Sequence, residues 1–109
     1  MDFLQLDCKC KGEAEEHAEE MFPKESCGVI AGNEYWRCRN TAENPENDFV
    51  LEPRDYLTAR TYGGKIQAVI HSHPKGGEPS VLDKNACNHM KIPWYIYLVP
   101  QKQWSIINP

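Results

Sequence analysis

The chain alternates short β-prone runs with helical segments, and proline or glycine residues mark most of the boundaries between them. The clearest β-prone runs cover residues 26–31, 65–70 and 94–99, which are mainly apolar or aromatic. Because helical segments interrupt the strands and no internal repeat is present, the order favours one mixed sheet flanked by about three helices. The predicted fold class is therefore α+β, or an α/β sandwich-like arrangement.

The spacing of apolar residues and the positions of proline and turn residues predict the individual elements. Ala14, Ala18 and Met21 recur at helical spacing in the first helix, and Pro23 stops it. The predicted helices cover residues 11–22, 53–60 and 80–90. The predicted strands cover residues 26–31, 34–39, 48–51, 65–70, 94–99 and 103–107. Turns at residues 32–33 and 100–102 predict two hairpins, one near each end of the chain.

Length and charge exclude several classes of protein. A chain of 109 residues suits a single domain that spans residues 1–109. A mean hydropathy of −0.66 and the lack of a long apolar run argue against a membrane protein. The formal net charge of −4 lacks the basic footprint of nucleic-acid binding. The first residues do not resemble a signal peptide, so we expect a cytoplasmic protein.

The five cysteines are an odd number in a chain without a recognisable signal peptide, which argues against a disulfide framework. Cys8 and Cys10 are separated by one residue, unlike the paired cysteines of a zinc knuckle. We therefore expect reduced thiols, some of them buried as small apolar groups.

His71 and His73 lie two residues apart at the end of a predicted strand, so both imidazoles can converge on one point. Asp83 falls in the first turn of the next helix if Ser80 is its N-cap. Two histidines and a carboxylate leave a fourth position for water, which is typical of a catalytic zinc site. Taken separately, each feature has a simpler interpretation, since surface histidines and Ser-x-x-Asp helix starts are both common. His17 lies alone on the first helix.

The combination resembles the JAMM metalloprotease domain, which is also called the MPN or JAB domain. The family motif is an upstream glutamate, His-x-His and Ser-x-x-Asp, found here as Glu25, His71, His73, Ser80 and Asp83. The resemblance covers essentially the whole chain and implies a cytidine-deaminase-like core. Flanking stretches also resemble the branch found in phage tail assembly proteins of the lambda K type. Those stretches are residues 23–30, 39–40, 44–49 and 92–96.

The resemblance implies roles for five residues. His71, His73 and Asp83 would bind Zn²⁺, which lowers the pKa of a bound water to about 7. Glu25 would act as general base, and Ser80 would hydrogen-bond the oxyanion of the tetrahedral intermediate. The implied function is a zinc-dependent peptidase or isopeptidase acting on a protein or peptide, with phage tail proteins as candidate partners and no role for nucleic acid or membrane.

One departure from the family leaves alternatives open. Six residues separate His73 from Ser80, one fewer than is usual in the family. Either Gly76 and Gly77 let the loop shorten, or Asp83 no longer reaches the metal. Two other functions remain. One is a bacterial JAMM peptidase that acts on ubiquitin-like sulfur-carrier proteins. The other is a non-catalytic assembly scaffold, with Trp94 or Trp104 at a partner interface instead of in the core.

Overall fold

The computed structural model describes residues 6–109. Its elements in chain order are α1 (Cys8–Met21), β1 (Cys27–Ala31), β2 (Glu34–Cys38), α2 (Pro53–Gly63), β3 (Ile66–His73), α3 (Val81–Met90), β4 (Trp94–Leu98) and β5 (Gln103–Ile107). The strands form one sheet in the order β2-β1-β3-β4-β5. β3 and β4 are parallel, and the other pairs are antiparallel. The predicted mixed sheet, α+β class and two hairpins are confirmed.

Helices cover both faces of the sheet. Side chains alternate between faces along a strand, so Val29 and Ile30 on β1 enter different cores. One core lies between the sheet and α1 and includes Ala14, Ile70 and Tyr95. The other packs the sheet against α2 and α3 through residues that include Ala59, Val69, Cys87 and Trp94.

The parallel pairing of β3 with β4 determines where polar side chains can meet. A parallel pair needs a crossover connection, and α3 supplies it here. Because α3 follows β3 after a short loop, the first turn of the helix lies beside the carboxyl end of the strand. The end of β3 and the start of α3 therefore share one edge of the sheet.

Three differences from the sequence prediction have a local physical cause. The predicted strand at residues 48–51 is wrong, since this segment forms only an isolated bridge between Asn40 and Leu51. The Asn40 side chain accepts the Val50 N–H at 3.1 Å, so a side chain replaces a strand partner there. α1 begins at Cys8 instead of residue 11, because the Asp7 carboxylate accepts the Cys10 N–H and caps the helix. β3 continues to His73, past the predicted end at residue 70, because its pairing with β4 extends that far.

The cysteines and tryptophans occupy the places expected of them. All five cysteines are free, as predicted, and all except Cys8 are buried. Trp94 is 5% exposed in the core, and half-buried Trp104 donates its indole N–H to Glu15 at 2.8 Å. These contacts favour the core-packing interpretation of both tryptophans. Within residues 6–109, the helices are too short or too polar to cross a bilayer.

Candidate metal centre

His71 and His73 end β3 with their imidazoles on the same side of the sheet, as their spacing predicts. Their Nε2 atoms lie 3.3 Å apart. His71 is 1% exposed, with Phe49 stacked on its ring at a centroid distance of 4.3 Å and Trp94 edge-on at 5.5 Å. Its Nδ1 atom has no hydrogen-bond partner among the described residues, so ring packing orients this imidazole.

Asp83 reaches both histidines from the first turn of α3. The Ser80 hydroxyl oxygen accepts the Asp83 N–H at 3.0 Å, and the Asp83 carboxylate accepts the Ser80 N–H at 3.0 Å. This reciprocal capping box fixes the carboxylate at the helix N-terminus. Asp83 Oδ1 then lies 3.3 Å from His71 Nε2, and Oδ2 lies 3.3 Å from His73 Nε2. The predicted helix start is confirmed, and the shortened loop does not separate Asp83 from the histidines.

Two glycines give the shortened loop its geometry. Gly76 and Gly77 have φ angles of 76° and 94°, in the region that L side chains rarely adopt. The Gly77 carbonyl lies 3.3 Å from His73 Nδ1. Because a carbonyl only accepts, Nδ1 is the donor, and this hydrogen bond fixes the ring with Nε2 toward Asp83. Such support is typical of histidines that bind metals.

Glu25 lies opposite His73 because of the register between β1 and β3. Cys27 pairs with His71, and the antiparallel pattern continues as the Ser72 N–H donates to the Ser26 carbonyl. Glu25 is consequently buried at the site, with 6% exposure. One of its carboxylate oxygens and the ring nitrogens of His71 and His73 lie within 4.8 Å of one another.

Burial and neighbouring charges set the pKa values of the two carboxylates. Burial raises the pKa of Glu25 to about 7, opposed by His73 and reinforced by Asp83 and Asp48. Burial also acts to raise the pKa of Asp83, but hydrogen bonds from His71 and His73 outweigh it and hold that pKa well below its usual range. The site therefore combines one strongly ionised carboxylate with one whose proton affinity suits transfer near neutral pH.

The donor set fits a zinc ion. Bonds of about 2.0–2.1 Å to tetrahedral zinc imply separations of roughly 3.3–3.4 Å between neighbouring ligand atoms. The His71–His73, His71–Asp83 and His73–Asp83 contacts are each 3.3 Å, with a different carboxylate oxygen of Asp83 facing each histidine. Glu25 is a further oxygen donor, with one carboxylate oxygen within 4.8 Å of a ring nitrogen of each histidine. Two carboxylates, Asp83 and Glu25, therefore lie close enough to the imidazoles to supply a third ligand.

The cluster opens into a cleft of about 570 Å³. Its polar lining includes Glu25, His73, Ser80 and Asp83, together with charged side chains such as Glu46, Asp48 and Lys75. Apolar side chains from the segment after β2, from α3 and from β4 also line it, among them Phe49, Leu51, Leu82, Ala86, Met90 and Trp94. The cleft is large enough to hold part of a polypeptide beside the cluster.

All five residues of the predicted motif come together, and residues outside the motif support them. Phe49 stacks on His71, and Gly77 binds His73, but neither has a spacing pattern that relates it to the histidines. The Asn40 side-chain amide donates to the Glu25 carbonyl at 3.0 Å. It lies in a stretch that resembles the tail assembly branch, which was the only sequence signal for it.

Comparisons with known proteins agree with this geometry. Residues 10–107 match the family model described as prokaryotic homologs of the JAB domain. Tail tip assembly protein K of Escherichia phage N15 is 38% identical over 98 residues, which cover 85% of this chain and 40% of that protein. The chain thus matches less than half of this curated relative.

A solved structure has a similar fold. The solution structure of protein DSY2949 from Desulfitobacterium hafniense superposes with a TM-score of 0.65 and 27% sequence identity, covering 91% of this chain and 77% of that one. The family match extends over nearly all of the residues that build the sheet, the helices and the cluster. The chain belongs to the prokaryotic homologs of the JAB domain.

Proposed function

We propose that this chain is a zinc-dependent metallopeptidase or isopeptidase of JAMM type that acts in phage tail assembly. The convergence of His71, His73 and Asp83 at mutual contacts of 3.3 Å is the observation that carries the proposal. Family membership supports the chemistry, and the similarity to a tail tip assembly protein supports the setting.

The proposed roles follow from where each group lies. His71, His73 and Asp83 would hold the metal through Nε2, Nε2 and a carboxylate oxygen. When bound, zinc supplies a Lewis acid and lowers the pKa of water. Glu25 accepts the proton of the attacking water on its carboxylate and delivers it to the nitrogen of the scissile amide. The water oxygen thereby bonds to the carbonyl carbon, and the C–N bond breaks.

The Ser80 hydroxyl can accept one hydrogen bond and donate another. Its hydroxyl oxygen already accepts the Asp83 N–H as the helix cap. A hydroxyl has one donor and two acceptor sites, so its hydrogen remains free to donate to the oxyanion that forms on the substrate carbonyl. The cap and the oxyanion contact are therefore compatible in one residue.

The metal assignment is tested by zinc content per purified chain. We expect about one zinc per wild-type chain and nearly none in His71→Ala or Asp83→Ala. Glu25→Gln is the matched control, because its side chain keeps the shape of glutamate and the proposal assigns Glu25 to proton transfer and not to the metal. Wild-type protein without zinc, or an Asp83→Ala protein that retains it, contradicts the assignment.

Catalysis is tested by mass spectrometry on two peptide libraries, one from phage tail proteins and one from host proteins. We expect metal-dependent cleavage in the tail library by wild-type protein, and a loss of about 100-fold or more in Glu25→Gln with zinc retained. Zinc-loaded protein that cleaves neither library would identify a binding module. Cleavage confined to the host library would contradict the tail assignment alone.

A further inference from the structure

Asn40 uses the full hydrogen-bonding capacity of its side chain. The amide nitrogen donates to the carbonyls of Asp48 at 2.9 Å, Glu25 at 3.0 Å and Pro45 at 3.4 Å. The amide oxygen accepts the N–H groups of Ala42 at 3.0 Å and Val50 at 3.1 Å. An amide has two donor hydrogens and two acceptor sites, so one hydrogen is shared and both acceptor sites are filled.

The partners of Asn40 belong to two separate parts of the candidate site. Glu25 lies just before β1, whereas the other partners belong to residues 42–50, which connect β2 to α2. The end of this connection forms one wall of the cleft, from Glu46 to Leu51. The Glu25 N–H also donates to the Pro45 carbonyl at 2.7 Å. The connection therefore holds the backbone of Glu25 at both its N–H and its C=O.

This backbone attachment matters because no side-chain hydrogen bond holds the Glu25 carboxylate within residues 6–109. The direction of the carboxylate consequently depends on where its backbone is fixed. The same wall carries Phe49, whose ring stacks on His71. A shift of the connection would alter both the position of Glu25 and the surface that faces the substrate.

We propose that Asn40 is a positioning residue that joins Glu25 to the connection at residues 42–50, the end of which forms the cleft wall. This inference rests on the proposed role of Glu25 in proton transfer. The side chain of Asn40 forms no hydrogen bond to His71, His73 or Asp83, so its direct action is on the placement of the proton acceptor and not on the metal ligands. Misplacement of a reacting group by about 1 Å can cost about 100-fold in rate.

Asn40→Asp tests the proposal with almost no change in shape. The carboxylate keeps the acceptor sites for Ala42 and Val50 but loses both donors and turns a negative oxygen toward three carbonyls. We expect zinc content equal to wild type and a kcat at least tenfold lower on a peptide cleaved by the wild-type protein, with a smaller rise in KM. Asn44→Asp is the matched control: it makes the same charge change in the same connection, and its side chain forms no hydrogen bond among the described residues. It should behave as wild type.

Nuclear magnetic resonance tests the placement of Glu25 separately from the proposed function, because this measurement requires no hydrolysis. In Asn40→Asp we expect the Glu25 amide resonance to move, while the Ala42 and Val50 amides remain protected from hydrogen exchange. If Asn40→Asp fails to fold, Asn40→Ala replaces it, because alanine adds no charge. In Asn40→Ala we expect the Ala42 and Val50 amides to lose their protection as well, since alanine has no acceptor for them. An unmoved Glu25 resonance, a wild-type kcat, loss of zinc, or an equal effect of Asn44→Asp overturns the proposal.

Discussion

His71 and His17 are both buried imidazoles with lowered pKa values, but their neighbours suit them to different tasks. Burial is the main cause of the lowered pKa in each case. His71 directs Nε2 toward His73 and Asp83, where a cation can replace a proton. The Nδ1 atom of His17 forms a hydrogen bond with the Tyr35 hydroxyl at 2.7 Å. No carboxylate among the described residues forms a hydrogen bond with the His17 ring. At the scale of the residue, neighbours and not residue type separate a candidate ligand from a packing histidine.

The surroundings of His17 predict a pH-dependent stability. Burial, together with the positive charge of Arg37, lowers its pKa from 6.5 to about 4. As the pH falls below 6.5, the unfolded chain takes up a proton that the folded protein does not take up until about pH 4. Stability therefore decreases over this window, by about 3 kcal/mol in total.

The contribution of His17 is measured by comparing urea unfolding of wild type and His17→Asn between pH 4 and pH 7.5. Asparagine places its amide nitrogen near the position of Nδ1 but does not titrate, and the other titrating groups are common to both proteins. We expect a shallower loss of stability with falling pH in the variant. Equal pH dependence in the two proteins would show that His17 does not contribute.

At the scale of the element, the first turn of α3 links helix stability to the site. Ser80 begins the helix, and the same capping box holds Asp83 toward the histidines. The loop before it determines how far the helix lies from β3, and the carbonyl of Gly77 in that loop binds His73. A local capping motif and a short loop therefore supply two of the supports that the cluster needs.

The cap can be measured through Ser80→Ala, which removes the oxygen that accepts the Asp83 N–H. Loss of an N-cap typically costs about 1 kcal/mol of unfolding free energy. Ser80→Asn retains a capping oxygen and should stay within about 0.5 kcal/mol of wild type in urea unfolding. An alanine variant as stable as the asparagine variant would mean that the cap contributes little.

The loop can be tested through Gly77→Ala. Its φ of 94° is unfavourable for alanine, although no atom lies within 4 Å of an added Cβ. The strain should therefore act through the backbone and move the carbonyl that holds His73. We expect zinc affinity to fall by about tenfold or more, as is typical when a supporting hydrogen bond is lost.

Gly12→Ala serves as the control for the loop, because an added Cβ there meets nothing within 4 Å in α1. Its zinc affinity should equal that of wild type when both variants are titrated with a competing chelator. Wild-type zinc affinity in Gly77→Ala would show that the Gly77 carbonyl does not support His73.

At the scale of the whole molecule, the cluster joins three parts of the chain that meet only in the folded sheet. Glu25 precedes β1, the two histidines end β3, and Asp83 begins α3. A ligand that binds this arrangement and not the unfolded chain stabilises the fold by mass action. Metal binding should therefore be visible in global unfolding.

We expect zinc at 100 times its Kd to add about 2.7 kcal/mol of stability. For a domain of this size, that corresponds to a Tm increase of about 10 °C or more. Thermal unfolding with zinc and with a chelator checks this expectation, and Asp83→Ala provides the comparison. A zinc-dependent rise of the same size in Asp83→Ala would assign the effect to another site.

Much of the fold could be predicted from the sequence because its signals are local. Alternating apolar residues, the Pro53 helix start and the glycine-containing turn after β1 identified all eight elements, with shifts at several ends. The predicted strand at residues 48–51 failed because the side chain of Asn40 takes the backbone N–H of Val50. A hydrogen bond between residues ten positions apart leaves no periodic pattern in the sequence.

The sequence by itself determined the residue types of the site, since the spacing of His71, His73, Ser80 and Asp83 follows from one strand end and one helix start. Only the tertiary structure decided that Asp83 reaches the histidines across the shortened loop and that Glu25 lies opposite His73. The position of Glu25 depends on the register between β1 and β3, and the position of Asp83 depends on the loop that the backbone angles of Gly77 permit. Register and loop path arise from packing over the whole sheet, which no short stretch of sequence encodes.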